Sequence, residues 1–165
     1  MKHQAILLLG SNLEDRLRML ELGEQNIEAL AGKVMARSSI YSSAAWGNTD
    51  QPDFLNRVIG IETEQTPADL LRCLLRIELL HGRARKEKWG PRTLDIDILY
   101  YDDLVYQDEL LIIPHPGIAG RRFTLVPLCE LFPEYIHPVC GRSNQWLLEN
   151  CKDTSGVALF NLAHS

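Results

Sequence analysis

Five cations, Arg83, Arg85, Lys86, Lys88 and Arg92, fall within ten residues of a chain that carries 17 Lys and Arg against 22 Asp and Glu. Such a local concentration in a molecule of net charge -5 is a site for a polyanion, and arginine adds bidentate phosphate geometry to the charge. The same loop holds Trp89, Gly90 and Pro91, and only Glu87 offsets its cations. A solvated charge run is the plain alternative for such a loop taken alone. Asp95 and Asp97 follow at once, two apart in a stretch that reads as a strand, so both carboxylates face one way while Leu94, Ile96 and Ile98 face the other. Convergent carboxylates repel unless a cation lies between them. Oxygen donors suit a hard ion such as Mg²⁺, which is held by one or two carboxylates together with substrate phosphates. Loop and pair together point to a metal-nucleotide site.

Other readings of these residues stay open at this level. An edge strand with its charges toward water accounts for the pair alone. A glycosidase acid and base also have compatible spacing, roughly 6 to 7 Å for carboxylates two apart on a strand, although the phosphate-seeking loop argues against it. No GxxxxGK[ST] motif is present. Gly10-Ser11-Asn12 is a weak anion-nest pattern and equally an ordinary strand-to-helix turn with a cap. Trp46, Phe54, Trp89 and Phe123 lie in or beside turn-rich or polar segments, where they either stack on a flat heterocycle or pack into the core.

The elements that must position these groups are legible from periodicity. Gln4 to Leu9 reads as a buried strand ending at Gly10. A helix capped by Ser11 or Asn12 follows, with Leu13, Leu17, Leu20, Ile27 and Leu30 on its buried stripe, running to about Ala31 before Gly32. Lys33 to Ser43 reads as one strand, and a second begins near Phe54 after the turn-rich Gly47 to Pro52. On that second strand Phe54, Asn56, Val58 and Gly60 share one face. Thr66, Pro67 and Asp69 mark the start of another helix and Gly82 its stop. With Leu94 to Tyr101 as a further strand, the order βαββαβ predicts an α+β, ferredoxin-like antiparallel sheet with helices on one face. The mixed C-terminal extension contains a turn at Pro114-His115-Pro116, a helical Phe123 to Leu131 and a short helix near Asn144 to Asn150.

Length and composition predict one domain over 1–165 with a normal core. Acidic balance opposes sequence-independent binding to nucleic acid or an anionic membrane, and the apolar run Ala5 to Leu9 is too short to span one. Cys73, Cys129, Cys140 and Cys151 form no CxxC pair, which favours free thiols and a cytoplasmic protein. His137 and Cys140 form an HxxC pair from which a zinc cluster is conceivable, without the usual paired spacing.

Lys88-Trp89-Gly90-Pro91-Arg92-Thr93-Leu94-Asp95-Ile96-Asp97-Ile98-Leu99 resembles the signature of the 6-hydroxymethyl-7,8-dihydropterin pyrophosphokinase family. Gly10 to Leu13, Asp50 to Asn56, Arg76-Ile77-Glu78, Pro114-His115 and Arg121-Arg122-Phe123 extend the likeness, in the family's order, over most of the chain. The resemblance implies a ferredoxin-like fold and transfer of the β,γ-diphosphate of ATP to the pterin's hydroxymethyl oxygen, with release of AMP. It implies that Asp95 and Asp97 bind two Mg²⁺ ions and that Arg83 and Arg92 hold the transferring diphosphate as catalytic groups. Glu78, Arg85, Trp89, Ile98, His115 and Arg121 would contact ATP. Phe54 and Phe123 would sandwich the pterin, Ser43 and Asn56 would read its edge, and Ala44, Trp46 and Asp95 would complete the substrate site. Partners would be these small molecules, with no nucleic acid, membrane or obligate protein partner. The chain departs from the family at Leu75, Leu110 and Ile112, where polar ATP contacts are usual, in the loop Ser43 to Gly47, and in a cationic loop one residue shorter before Trp89. Those departures motivate a second reading, a pterin- or nucleotide-binding paralogue without turnover. RNA binding, common on such sheets, is opposed by the acidic balance and by the lack of an RNP1-like run.

Overall fold

The computed structural model describes residues 1–12, 15–44, 53–81 and 94–160. Its central strand, β1 (His3–Ser11), has neighbours on both sides and is covered on both faces, which explains a continuous aliphatic run in place of strict alternation. Ala5, Leu7 and Leu9 enter one hydrophobic cluster, while Ile6 and Leu8 enter another. The first cluster is closed by α1 (Arg16–Leu30) through Leu20 and Ile27 and by α2 (Pro67–Leu80) through Leu70, Leu74 and Ile77. The second is closed by α3 (Arg122–Leu131) through Leu125 and Leu128 and by α4 (Asn144–Glu149) through Leu147.

Between the helices of the first layer run β2 (Lys33–Arg37), β3 (Tyr41–Ser43) and β4 (Phe54–Thr63), and β5 (Asp95–Tyr101) follows α2. Antiparallel pairing gives the order β5-β1-β4, with β2 and β3 both on the far edge of β4, which is the strand order of a ferredoxin-like sheet. A third C-terminal strand, β8 (Val157–Leu159), adds to β3. A separate hairpin pairs β6 (Tyr106–Gln107) with β7 (Ile112–Ile113). Neither β8 nor the hairpin is predicted from the sequence, because strands of two or three residues carry no periodicity to read.

Thr66 caps α2 as its sequence predicts: the hydroxyl accepts the Asp69 amide at 3.2 Å, with Pro67 at the first helical position. The predicted stop, Gly82, lies outside the described residues. Two expectations are corrected. Ser11 does not cap α1, since β1 continues through it in register with Leu55; the helix starts after Asp15, which makes no side-chain cap bond. Lys33 to Ser43 is not one strand but two. At the break, Ser38 Oγ accepts the Val58 amide at 3.0 Å, and Glu130 of α3 takes the Ser39 amide and the Tyr41 hydroxyl. Side-chain acceptors thus replace ladder bonds there. Burial and the Glu130 carboxylate together push the Tyr41 phenol up to about 12.

Candidate active site

Asp95 and Asp97 open β5, and the alternation that sends Ile96 and Ile98 into the cluster under α1 and α2 sends both carboxylates to the opposite face. Across the sheet, Asp95 stands opposite Gly10, and Gly10 opposite Asn56. Gly10 is therefore not an anion nest but extended strand, and its missing side chain matters by room. A Cβ there would lie 2.9 Å from Asn56 Oδ1 and 3.7 Å from a Phe54 ring carbon. Asn56 is buried and donates from Nδ2 to Ser43 Oγ at 2.9 Å, while Ser43 stands opposite Phe54. One row of residues at this end of the sheet thus runs from Ser43 and Phe54 through Asn56 and Gly10 to Asp95. Ala44, next to Ser43, is exposed.

The loop after β7 closes the other side. The His115 amide donates to Leu99 O at 2.9 Å, which ties the loop to β5. The Gly117 amide donates to His115 Nδ1 at 2.9 Å, leaving the neutral ring's proton on Nε2, the atom 3.9 Å from Asp97 Oδ1. Burial holds the His115 imidazole below its ordinary value of 6.5; Asp97 pulls it upward and Arg121 pushes it further down. At neutral pH the ring is uncharged, with Nε2 standing 3.9 Å from the carboxylate. Arg121 donates from Nε to Gly117 O at 3.0 Å and lies with Cζ 4.7 Å from the centre of the Phe123 ring. Its Nη2 is buried and makes no hydrogen bond among the described residues. A Cβ on Gly117 would fall 2.5 Å from Arg121 Cζ, so the guanidinium occupies the space that glycine leaves. Phe123, in the first turn of α3, packs its half-buried ring against the second cluster.

Ser43, Phe54, Asn56, Asp95, Asp97, His115, Arg121 and Phe123 therefore share one face at one end of the sheet. Glu78 and Ile98 do not. Ile98 is a core residue on the face packed by α1 and α2, so its side chain is withheld from that site. Glu78 is 2% exposed in α2 and accepts the Ile96 amide at 2.7 Å. Trp46, Arg83, Arg85, Trp89 and Arg92 lie outside the described residues. Leu75, Leu110 and Ile112 are all exposed, with Leu110 at 83%. Away from the site, His137 Nδ1 accepts the amides of Val139 and Cys140, and no cluster of three His, Cys, Asp or Glu able to hold a metal ion occurs among the described residues.

A half-exposed carboxylate pair with a neutral N–H donor and a guanidinium beside it is suited to a hard cation and an anion bound together. Gly10 and Gly117 are the positions that reading by residue type misses. A glycine inside a strand signals close backbone approach, but not which side chain fills the space.

A sequence model of the 7,8-dihydro-6-hydroxymethylpterin-pyrophosphokinase family matches residues 6–133. The chain is 44% identical over 134 residues to a 2-amino-4-hydroxy-6-hydroxymethyldihydropteridine pyrophosphokinase of Methylorubrum extorquens, covering 81% of this chain and 85% of that protein. The enzyme of the same name from Haemophilus influenzae is 42% identical over 135 residues, with 81% and 84% covered. Among solved structures, wild-type HPPK-DHPS of Plasmodium falciparum superposes with a TM-score of 0.74 at 17% identity. That match covers 90% of this chain and 44% of the other, so it bears on the fold, and this chain spans under half the length of the larger one. The chain belongs to the 7,8-dihydro-6-hydroxymethylpterin-pyrophosphokinase family and is an enzyme of the pyrophosphokinase class.

Proposed function

We propose that this enzyme transfers the β,γ-diphosphate of ATP to the hydroxymethyl oxygen of 6-hydroxymethyl-7,8-dihydropterin and releases AMP, a step of folate biosynthesis carried out in the cytoplasm. The hydroxymethyl oxygen forms a bond to the β-phosphorus, the bond from that phosphorus to the oxygen bridging it to the α-phosphate breaks, and the hydroxyl proton leaves to solvent. The observation that carries this reading is the single face on which Asp95 and Asp97 stand beside His115 and Arg121, in a chain matched by the family over residues 6–133.

Asp95 and Asp97 fit a divalent cation by donor chemistry: two oxygen donors on one strand face, with Asp97 40% exposed and open to a ligand's own oxygens. They would hold Mg²⁺, two ions in our reading, which would supply positive charge to offset that developing in the transition state. Arg121 supplies a fixed cation, and His115 an uncharged donor that adds no competing charge next to the carboxylates. Arg83 and Arg92 would grip the transferring diphosphate, and Arg85 and Trp89 would contact the nucleotide. Phe123, one face covered by Arg121, would offer the other to the pterin opposite Phe54. Asn56 and Ser43, already bonded to one another, form a preset edge for a ring dense in donors and acceptors. Positioning and charge stabilisation are the usual protein share of phosphoryl transfer.

Incubation with ATP, Mg²⁺ and the pterin should yield AMP and pterin diphosphate in equal amounts. Asp97→Ala should cut that yield on the order of a hundredfold or more while the circular dichroism spectrum stays unchanged. Near-normal turnover in that variant would remove the metal assignment. Pterin binding with no product from the unsubstituted protein would favour the non-catalytic reading, which the exposed Leu75, Leu110 and Ile112 motivate.

A further inference from the structure

We infer that Glu78 is a positioning residue that sets the aim of the Asp95–Asp97 pair through the backbone between them; this rests on reading the pair as ligands of a divalent cation. In α2 the buried stripe is Leu70, Leu74 and Ile77, and Glu78 continues it. A carboxylate on an apolar stripe is costly unless it is hydrogen-bonded. Glu78 Oε2 accepts the Ile96 amide at 2.7 Å, and Ile96 is the residue between the two aspartates.

The topology explains why that amide needs an acceptor from outside the sheet. Among the described residues β5 ends the strand order, with β1 as its one sheet neighbour, so an amide on its open side has no strand among them to pair with. A carboxylate makes the stronger, charge-assisted bond there. Holding the Ile96 peptide holds the dihedral angles that direct the side chains on either side of it. Glu78 itself comes from the face packed by α1 and α2, whereas both aspartates project from the opposite one, so it acts on the pair through the Ile96 peptide that it bonds. This is the relation by which outer partners orient first ligands in metal sites, where losing the partner typically weakens the metal 10- to 100-fold, in order of magnitude about tenfold at least.

Two substitutions separate the hydrogen bond from the charge. Glu78→Gln keeps an oxygen acceptor at the same length, and Glu78→Met keeps the length without it. With ATP present, Mn²⁺ affinity read from the electron paramagnetic resonance of the free ion should stay within about threefold of the unsubstituted protein in E78Q and fall about tenfold or more in E78M. Hydrogen exchange at the Ile96 amide should remain slow in E78Q and accelerate in E78M. E78Q losing as much Mn²⁺ affinity as E78M, or E78M losing none, overturns the inference. Should E78M fail to fold, E78Q alone decides: a tenfold loss with slow Ile96 exchange means the charge acts directly and overturns it, whereas retained affinity supports it. An unsubstituted protein that binds Mn²⁺ with ATP but makes no AMP sinks the proposed reaction while leaving these affinities decisive here. One that binds no Mn²⁺ overturns both.

Discussion

Gly10 does its work by lacking a side chain, and the consequence falls on a neighbour across the strand. Asn56 Oδ1 fills the space a Cβ would take, and the same amide donates to Ser43. Gly10→Ala should turn the Asn56 amide away and break that bond. Steady-state kinetics should then show KM for the pterin raised roughly tenfold with KM for ATP unchanged, the loss expected for one displaced polar reader. Equal rises in both would place Asn56 outside the pterin site. Gly117 has the same relation to Arg121, whose guanidinium lies where its Cβ would be. Residue type and spacing made Asp95 and Asp97 legible as candidates, and the family resemblance added Asn56 and Arg121. Local pattern read Gly10 as a turn or weak anion nest and gave Gly117 no role, because a close approach between positions 10 and 56 leaves no trace in it.

At the scale of elements, the face of the sheet packed by α1 and α2 is held by more than apolar burial. Glu24 of α1, nearly buried, accepts Arg57 Nη1 of β4 at 2.7 Å and Arg37 Nε of β2 at 2.9 Å, so one carboxylate joins a helix to two strands. Glu24→Ala strands Arg57, whose side chain is 19% exposed, next to the core. We expect a loss of about 3 kcal/mol in urea unfolding, the low end for breaking a buried pair because the Arg37 arm is screened by solvent. A change below about 0.5 kcal/mol would put this triad with ordinary surface pairs. The existence and type of β1, α2, β4, β5, α3 and α4 follow from periodicity and capping. The division of β2 from β3 does not, because Glu130, which occupies the break, comes from α3 about ninety positions on.

Over the whole molecule, two histidines outside the site tie stability to pH. His81 Nε2 accepts the Asn26 amide at 3.2 Å, and His137 Nδ1 accepts two backbone amides, so each ring serves as an acceptor only while that nitrogen is unprotonated. Burial holds both below 6.5 in the folded chain. Between the folded and unfolded values the unfolded chain binds more protons, so their contribution is present above about 6.5 and is lost as pH falls through the lowered values. The urea midpoint should therefore drop between about pH 7.5 and pH 5.5, and the drop should shrink in a protein carrying His81→Gln and His137→Gln. An undiminished drop would assign the pH dependence to other groups. The sequence by itself determined the order of β1, α1, β4, α2, β5, α3 and α4, the Thr66 cap, and the face shared by Asp95 and Asp97, since each depends on residues within a few positions of one another. Tertiary structure alone decided that Asn56 fills the space beside Gly10, that Arg121 lies against Gly117 and Phe123, that β8 closes on β3, and that Glu78 holds the amide between the two aspartates. Those arrangements arise only when separated segments pack and each buried polar group must find whichever partner the fold has brought near.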